Sequence, residues 1–251
     1  MGIILTLLRR ELAAFFLAIT GYVIIASVTL LIGASFCLLM NNLGTNPFLM
    51  PVTELFFNSQ LFWFVLILVT PVITMRSFAL EKASGTYETL MTTPVGDMEV
   101  VAAKFIAAVI FYGVAWLPTL ACLFIVGHFT NQTSALDLGT LGGTYLGILL
   151  SGCLFLSMGC FASSLTKSQV VAAMVSLLIG VVLFIVAFLA QMIPATSQWQ
   201  AQFVLSYFSL FKQMEDFTRG VVDTRTVTFY VTATFFFLFL TLRAVESRRW
   251  K

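Results

Sequence analysis

Charge is scarce in this sequence, and its scarcity decides the class before any motif is found. Only 13 of 251 residues are Lys or Arg and 11 are Asp or Glu, while 60% are apolar. A mean hydropathy of +1.02 excludes an ordinary soluble domain. The net charge is +2, with no basic stripe interleaved with aromatics, which argues against nucleic acid as a partner. Histidine occurs once, at His128, and the serine in a GxS setting is Ser35 of "GASF". An intramembrane serine protease needs both groups, and neither sits in a context that suggests catalysis, so the chain is not expected to be an enzyme. There is no GxxxxGK[ST] loop, and "SLTKSQ" lacks the glycines whose N–H groups would wrap a phosphate. The cysteines Cys37, Cys122, Cys153 and Cys160 lie within apolar runs, with no CxxC or Cys/His cluster. They read as small hydrophobes rather than disulfide partners or metal ligands. No cofactor or metal is expected in this chain.

What is present is a series of long apolar runs. A helix rising about 1.5 Å per residue needs roughly 20 apolar residues to cross about 30 Å of hydrocarbon. Six segments meet that length, near 19–40, 56–76, 103–127, 141–164, 169–193 and 225–243. The expected fold is therefore an all-α integral membrane protein, with residues 1–251 as one membrane domain. After Arg9, Arg10 and Glu11 no charge occurs until Glu54. That apolar stretch is longer than the roughly 7–15 residues of a signal-peptide core, so a membrane-resident start is expected.

Basic residues near span ends are retained on the cytoplasmic side. With six spans and both termini inside, Arg9, Arg10, Arg76, Lys82, Lys104, Lys167, Arg243, Arg248, Arg249 and Lys251 are cytoplasmic, against Lys212, Arg219 and Arg225 outside. The expectation is a multi-pass protein of the plasma (inner) membrane with both termini in the cytoplasm. Residues 77–102 then form the main cytoplasmic loop, and 194–224 the longest external connection.

Two segments read as amphipathic helices. Residues 4–17, around "LLRRELAAFF", suit a helix lying in the membrane interface. In the external segment, Phe208, Phe211, Met214 and Phe217 recur every three residues, with Lys212, Glu215, Asp216 and Arg219 between them. Small residues mark close approach of helices, and Gly139, Gly143, Gly147 and Ser151 recur at intervals of four in the fourth span. Packing within the chain and a subunit interface both suit that spacing.

Residues 76–104 contain seven of the charged residues between two apolar runs. Ion-driven transporters usually bury charged groups within their spans, and the expected span interiors here carry none. The source of energy is therefore sought outside the chain, and this wet segment is the natural place to receive it. Gly85 and Thr86 can open a short helix, with Thr86 as N-cap, Glu88 in the first turn and Pro94 as the stop. Such a helix is about two turns long and marginal alone in water. Tyr87, Leu90 and Met91 offer apolar contacts, and Glu81, Lys82 and Glu88 offer charge.

These residues resemble a family. "TPVITMRSFALEKASGTYETLMTTPVGDMEVVAAKF", with Glu81, Gly85, Thr86, Glu88, Leu90 and Pro94 on an E…GT.E.L…P pattern, is similar to the coupling segment of ABC type-2 transporter membrane subunits. The permeases of the gliding-motility ABC system are the nearest in pattern. "RRELAAFF", with Arg9, Arg10 and Glu11, looks like their elbow helix. "FASSLTKSQVVA" and "FTRGVVDTRTVTFY" resemble their fourth-to-fifth turn and the entry to their last span. The resemblance implies six spans, an N-terminal elbow helix, a cytoplasmic coupling helix within 79–100 and an external amphipathic or re-entrant segment at 194–224. It further implies an ABC ATP-binding subunit that holds ATP and Mg, and a second copy or a related permease as partner. An accessory membrane protein is a further partner it allows. The function implied is an ATP-driven permease, and export is the direction it favours. A non-transporting anchor for an ATPase and a secondary transporter are the other readings the residues leave open.

Overall fold

Proline, glycine and charge set the breaks between helices in an otherwise uniformly apolar chain. A computed structural model describes residues 2–43, 56–57, 59–85, 96–130, 138–192 and 209–247. The helices among them are α1 (Gly2–Phe16), α2 (Ile19–Leu43), α3 (Gln60–Thr74), α4 (Ala79–Ser84), α5 (Asp97–Trp116), α6 (Pro118–Thr130), α7 (Leu138–Leu165), α8 (Gln169–Met192), α9 (Leu210–Thr218) and α10 (Thr224–Glu246). No strand occurs among the described residues. Six stretches are long and apolar enough to cross a membrane: Ile19–Asn41, Gln60–Ser84, Asp97–Ile125, Gly139–Leu165, Gln169–Met192 and Thr224–Glu246. The protein is an all-α integral membrane protein.

All six expected spans overlap these stretches, but the edges of the charged loop differ. Residues 97–102, read from sequence as loop, are the first turns of α5. The Glu99 carboxylate accepts the Gly96 N–H at 3.3 Å, and Asp97 and Glu99 face the positive end of the helix dipole. Residues 79–84, also read from sequence as loop, are helical and form α4. The third span is not one helix: it breaks at Leu117, because Pro118 has no N–H to donate and starts a new first turn.

Helix α7 is the central post. In its apolar window 72% of residues are buried, against 22% in α2, 22% in α8 and 17% in α10, so the apolar surface this chain leaves uncovered belongs mostly to those three. Helices α3, α5, α8, α9 and α10 all touch α7. Small side chains make this possible. A Cβ added at Gly152 would overlap the Tyr112 ring, and one at Gly159 would overlap the Thr74 hydroxyl. These two glycines lie outside the Gly139, Gly143, Gly147, Ser151 series, yet they mark close crossings with α5 and α3.

The four residues of that series turn toward α9 and the core. A Cβ at Gly143 would stand 2.6 Å from the Phe217 carbonyl oxygen, and one at Gly147 3.0 Å from Met214 Sδ. Gly139 backs onto Gly220, and the buried Ser151 hydroxyl donates to the Gly147 carbonyl at 2.8 Å. The amphipathic helix anticipated around 208–219 is thus present as α9, with its apolar face laid on protein. Leu210, Phe211, Met214 and Phe217 are buried, and Phe211 meets Trp63 at 5.3 Å between ring centroids. Phe208 lies outside the described residues. Gly220, at φ 78, then turns the chain into α10.

Candidate functional site: a charged junction beside α4

At the opposite end of α7 from α9, four charged side chains from three helices converge. Lys104 is the eighth residue of α5, and its side chain is 2% exposed. Its Nζ donates to Glu81 Oε1 of α4 at 2.8 Å and to Glu11 Oε1 of α1 at 3.1 Å. Arg10 closes the ring, donating to Glu11 Oε1 at 2.6 Å and to Glu81 Oε1 at 3.2 Å. Two cations and two carboxylates alternate, so the cluster is neutral. Lys104 also stands 5.5 Å over the Phe78 ring, where the negative π-face favours a cation.

Burial is what makes Lys104 informative. An unpaired ammonium in a low-dielectric interior is costly, so its two carboxylates are needed to hold it there. Arg10 is half exposed and contributes less, since water screens its pairs. Burial lowers the Arg10 pKa, but its hydrogen bond to Glu11 and the charges of Glu11 and Glu81 outweigh that and raise it. Beneath the charges, Phe78, Val100, Val101, Cys160 and Val245 form a small apolar cluster of their own.

A second set of bonds ties α4 to the end of α7. The Ser163 hydroxyl accepts the backbone N–H groups of Phe78 and Ala79, each at 3.1 Å. It also donates to the Met75 carbonyl at 3.4 Å. One donor and two lone pairs are all in use. Lys82, largely buried, donates from Nζ to the Ser164 carbonyl. Ser163 therefore caps α4, a helix too short to be stable alone. One turn earlier, Arg76 donates to the Thr20 hydroxyl at the start of α2.

The residues singled out from sequence divide in consequence. Glu81, Arg10 and Glu11 come together in the junction. Gly85 ends α4 in the left-handed conformation, at φ 75, which relieves it of the Cβ clash other residues would meet. Arg9 is exposed and stands outside the cluster. Thr86, Glu88, Leu90 and Pro94, like Tyr87 and Met91, lie outside the described residues. Lys104 and Ser163 carry the junction without having been marked as site residues. A charge one residue inside an expected span was the available signal for Lys104, since such a group calls for a buried partner. Ser163 had no such signal, being one of two adjacent serines in a short turn.

Of the residues considered for catalysis, Ser35 donates its hydroxyl to the Leu31 carbonyl at 2.7 Å within its own helix. The His128 side chain lies outside what the structure describes. The four cysteines are free thiols.

Among the described residues a short helix, α4, is tied to α1, α5 and α7, while the helix expected to open at Gly85 and Thr86 and stop at Pro94 falls, beyond Gly85, on residues outside the described ones. The model of the ABC-2 family transporter protein matches residues 49–245, which takes in α3 through α10. The chain belongs to the ABC-2 transporter family. No curated protein matches it. As an ABC-2 protein it is the multi-pass membrane permease of an ABC transporter, a component that is generally non-catalytic and works with an ABC ATP-binding subunit. The charged junction thus joins α4, which is capped by Gly85, to α5, which begins at Asp97.

Proposed function

We propose that this ABC-2 permease exports its substrate on energy taken from a separate ATP-binding subunit, which holds ATP and Mg and docks on residues 79–100. In this reading Glu81, Gly85, Thr86, Glu88, Leu90 and Pro94 form or support the docking contact. The elbow residues Arg9, Arg10 and Glu11 lie next to it. The permease pairs with a second copy or a related permease, belongs with the gliding-motility branch and admits an accessory membrane protein. It resides in the plasma (inner) membrane with both termini in the cytoplasm, as the ten-to-three division of basic residues favours.

The observation that carries the reading is the way α4 is fastened. Glu81 joins it to α5 and α1 through Lys104 and Arg10, while Ser163 and Lys82 join it to α7. A push on the adjoining segment when ATP closes the ATPase pair would therefore reach α5, α7 and the elbow together. Directional bonds suit that task, because they resist rotation as well as separation. The spans then shift between two packed arrangements rather than deform continuously.

The test is the reconstituted complex of this chain with an ATP-binding subunit. Glu88→Lys is expected to lower permease-dependent ATP hydrolysis severalfold, with membrane insertion, read by carbonate extraction, unchanged. Full hydrolysis and full transport in both Glu88→Lys and Leu90→Asp would overturn the docking assignment. Hydrolysis that responds to these changes but moves no cargo would replace the exporter reading with that of an anchor.

A further inference from the structure

Helices α8 and α10 lean apart over α7, leaving an open groove of about 1070 Å³. That is at the upper end of the roughly 300–1,000 Å³ of small-molecule sites. Its floor is Leu154 and Met158 of α7, and its walls include Ile179 and Val186 of α8 with Phe236 and Phe237 of α10. Polar groups are confined to α10. Thr224, Thr228 and Thr232, four residues apart, line one edge, and Arg225 stands at the end next to the first turn of α10. Arg225 is exposed, and no described carboxylate pairs with it. Its neighbour Asp223 is engaged as the helix cap, accepting the Arg225 N–H at 2.9 Å.

An apolar trough with one cation at its end and hydroxyls along one edge has the polarity of an amphiphile in reverse. We propose that this groove binds an anionic phospholipid, its acyl chains between α8 and α10 and its phosphate at Arg225. The competing occupant is a span from a second copy. The helices with the most unpartnered apolar surface besides α10 are α2 and α8, and neither contains a charged residue. Either one laid in the groove would cover the apolar walls and leave Arg225 without an anion. A phospholipid satisfies both parts. The site does not depend on ATP-driven export, and its test needs no ATPase.

The full-length chain in neutral detergent is titrated with phosphatidylglycerol and phosphatidylcholine of the same chain length, with bound lipid counted by native mass spectrometry. Phosphatidylglycerol should bind about fivefold more tightly, the equivalent of about 1 kcal/mol for one basic residue against an anionic lipid. Arg225→Gln, at an exposed position, should abolish that preference, and Arg225→Lys should keep most of it. Ala233 of α10 also lines the groove, and Ala233→Trp should weaken both lipids and leave the oligomeric state unchanged. Equal affinity for the two lipids, or a preference that survives Arg225→Gln, would overturn the proposal. So would glycerol phosphate binding as tightly as the whole lipid, since the apolar walls would then contribute nothing. An oligomer lost in Ala233→Trp with lipid binding intact would assign the groove to a second copy instead.

Discussion

Two short helices are fastened to opposite ends of the same central helix by different physics. Helix α9 lies on α7 through shape: Gly143 and Gly147 leave room, and Met214 and Phe217 fill it. Helix α4 lies on α7 through directed bonds from Ser163 and Lys82, and on α5 and α1 through the ion pairs of Lys104. Apolar burial is non-directional and holds a surface in place as a lid would. Hydrogen bonds and buried ion pairs fix orientation, and they fail sharply when one partner is lost. The end that is read here as the input for ATP-driven motion is the end built from directional contacts.

Three substitutions would break or sharpen this contrast, in descending order of effect. Lys104→Met leaves Glu11 and Glu81 facing each other with only the half-exposed Arg10 between them. Loss of one partner from a buried pair costs about 3 kcal/mol or more, seen as a lower midpoint in thermal unfolding of the purified protein. Adding Glu81→Gln to Lys104→Met should restore part of the loss. If Lys104→Met alone unfolds at the parental temperature, the junction is ornamental.

Gly143→Val tests the other end. Its Cβ would meet a backbone carbonyl, which cannot swing aside as a side chain could. Overpacking of this kind costs about 1–3 kcal/mol, and it should expose α9 to protease at 210–220 while α4 stays protected. Cleavage spread evenly over both ends would mean that the two contacts are not independent.

Ser163→Ala is the smallest change. The Phe78 and Ala79 N–H groups lose their acceptor, at a cost of about 1 kcal/mol or somewhat more. Hydrogen exchange at 78–82 should quicken, with exchange in α9 unaltered. Unchanged exchange at 78–82 would remove Ser163 as the cap of α4.

Much of the fold was legible because it is written in local composition. Charge-free runs of about 20 residues can only be spans in a chain this apolar, and each expected run overlaps a helical stretch, the third one broken in two at Leu117. The amphipathic spacing of Phe211, Met214 and Phe217 likewise marked the buried face of α9 before its partner was known. The helix starts were harder. Residues 97–102 read as loop because Asp97 and Glu99 lie among them, and only the Gly96–Glu99 cap and the helix dipole explain why they coil. The site was half legible. Glu81, Arg10 and Glu11 drew attention as charges in an oily chain, but Lys104 was counted for topology alone.

The glycine series shows the same limit from the other side. Intervals of four told that one face of the fourth span is small, and packing within the chain suited that face better than a subunit interface, which stayed open. In the folded chain α9 occupies it. Gly152 and Gly159, which follow no such interval, are the positions where Tyr112 of α5 and Thr74 of α3 leave no room for a Cβ.

The sequence by itself determined that this is a six-span membrane protein with its charge gathered beside the second and third spans. Hydropathy and capping act within a few residues, so a linear reading reaches them. Tertiary structure alone decided that Lys104 meets Glu11 across 93 residues and Glu81 across 23, that Ser163 caps a helix 84 residues away, and that Arg225 ends an open apolar groove. Those pairings depend on which helix faces pack together, and that choice is made by the shapes of all the spans at once.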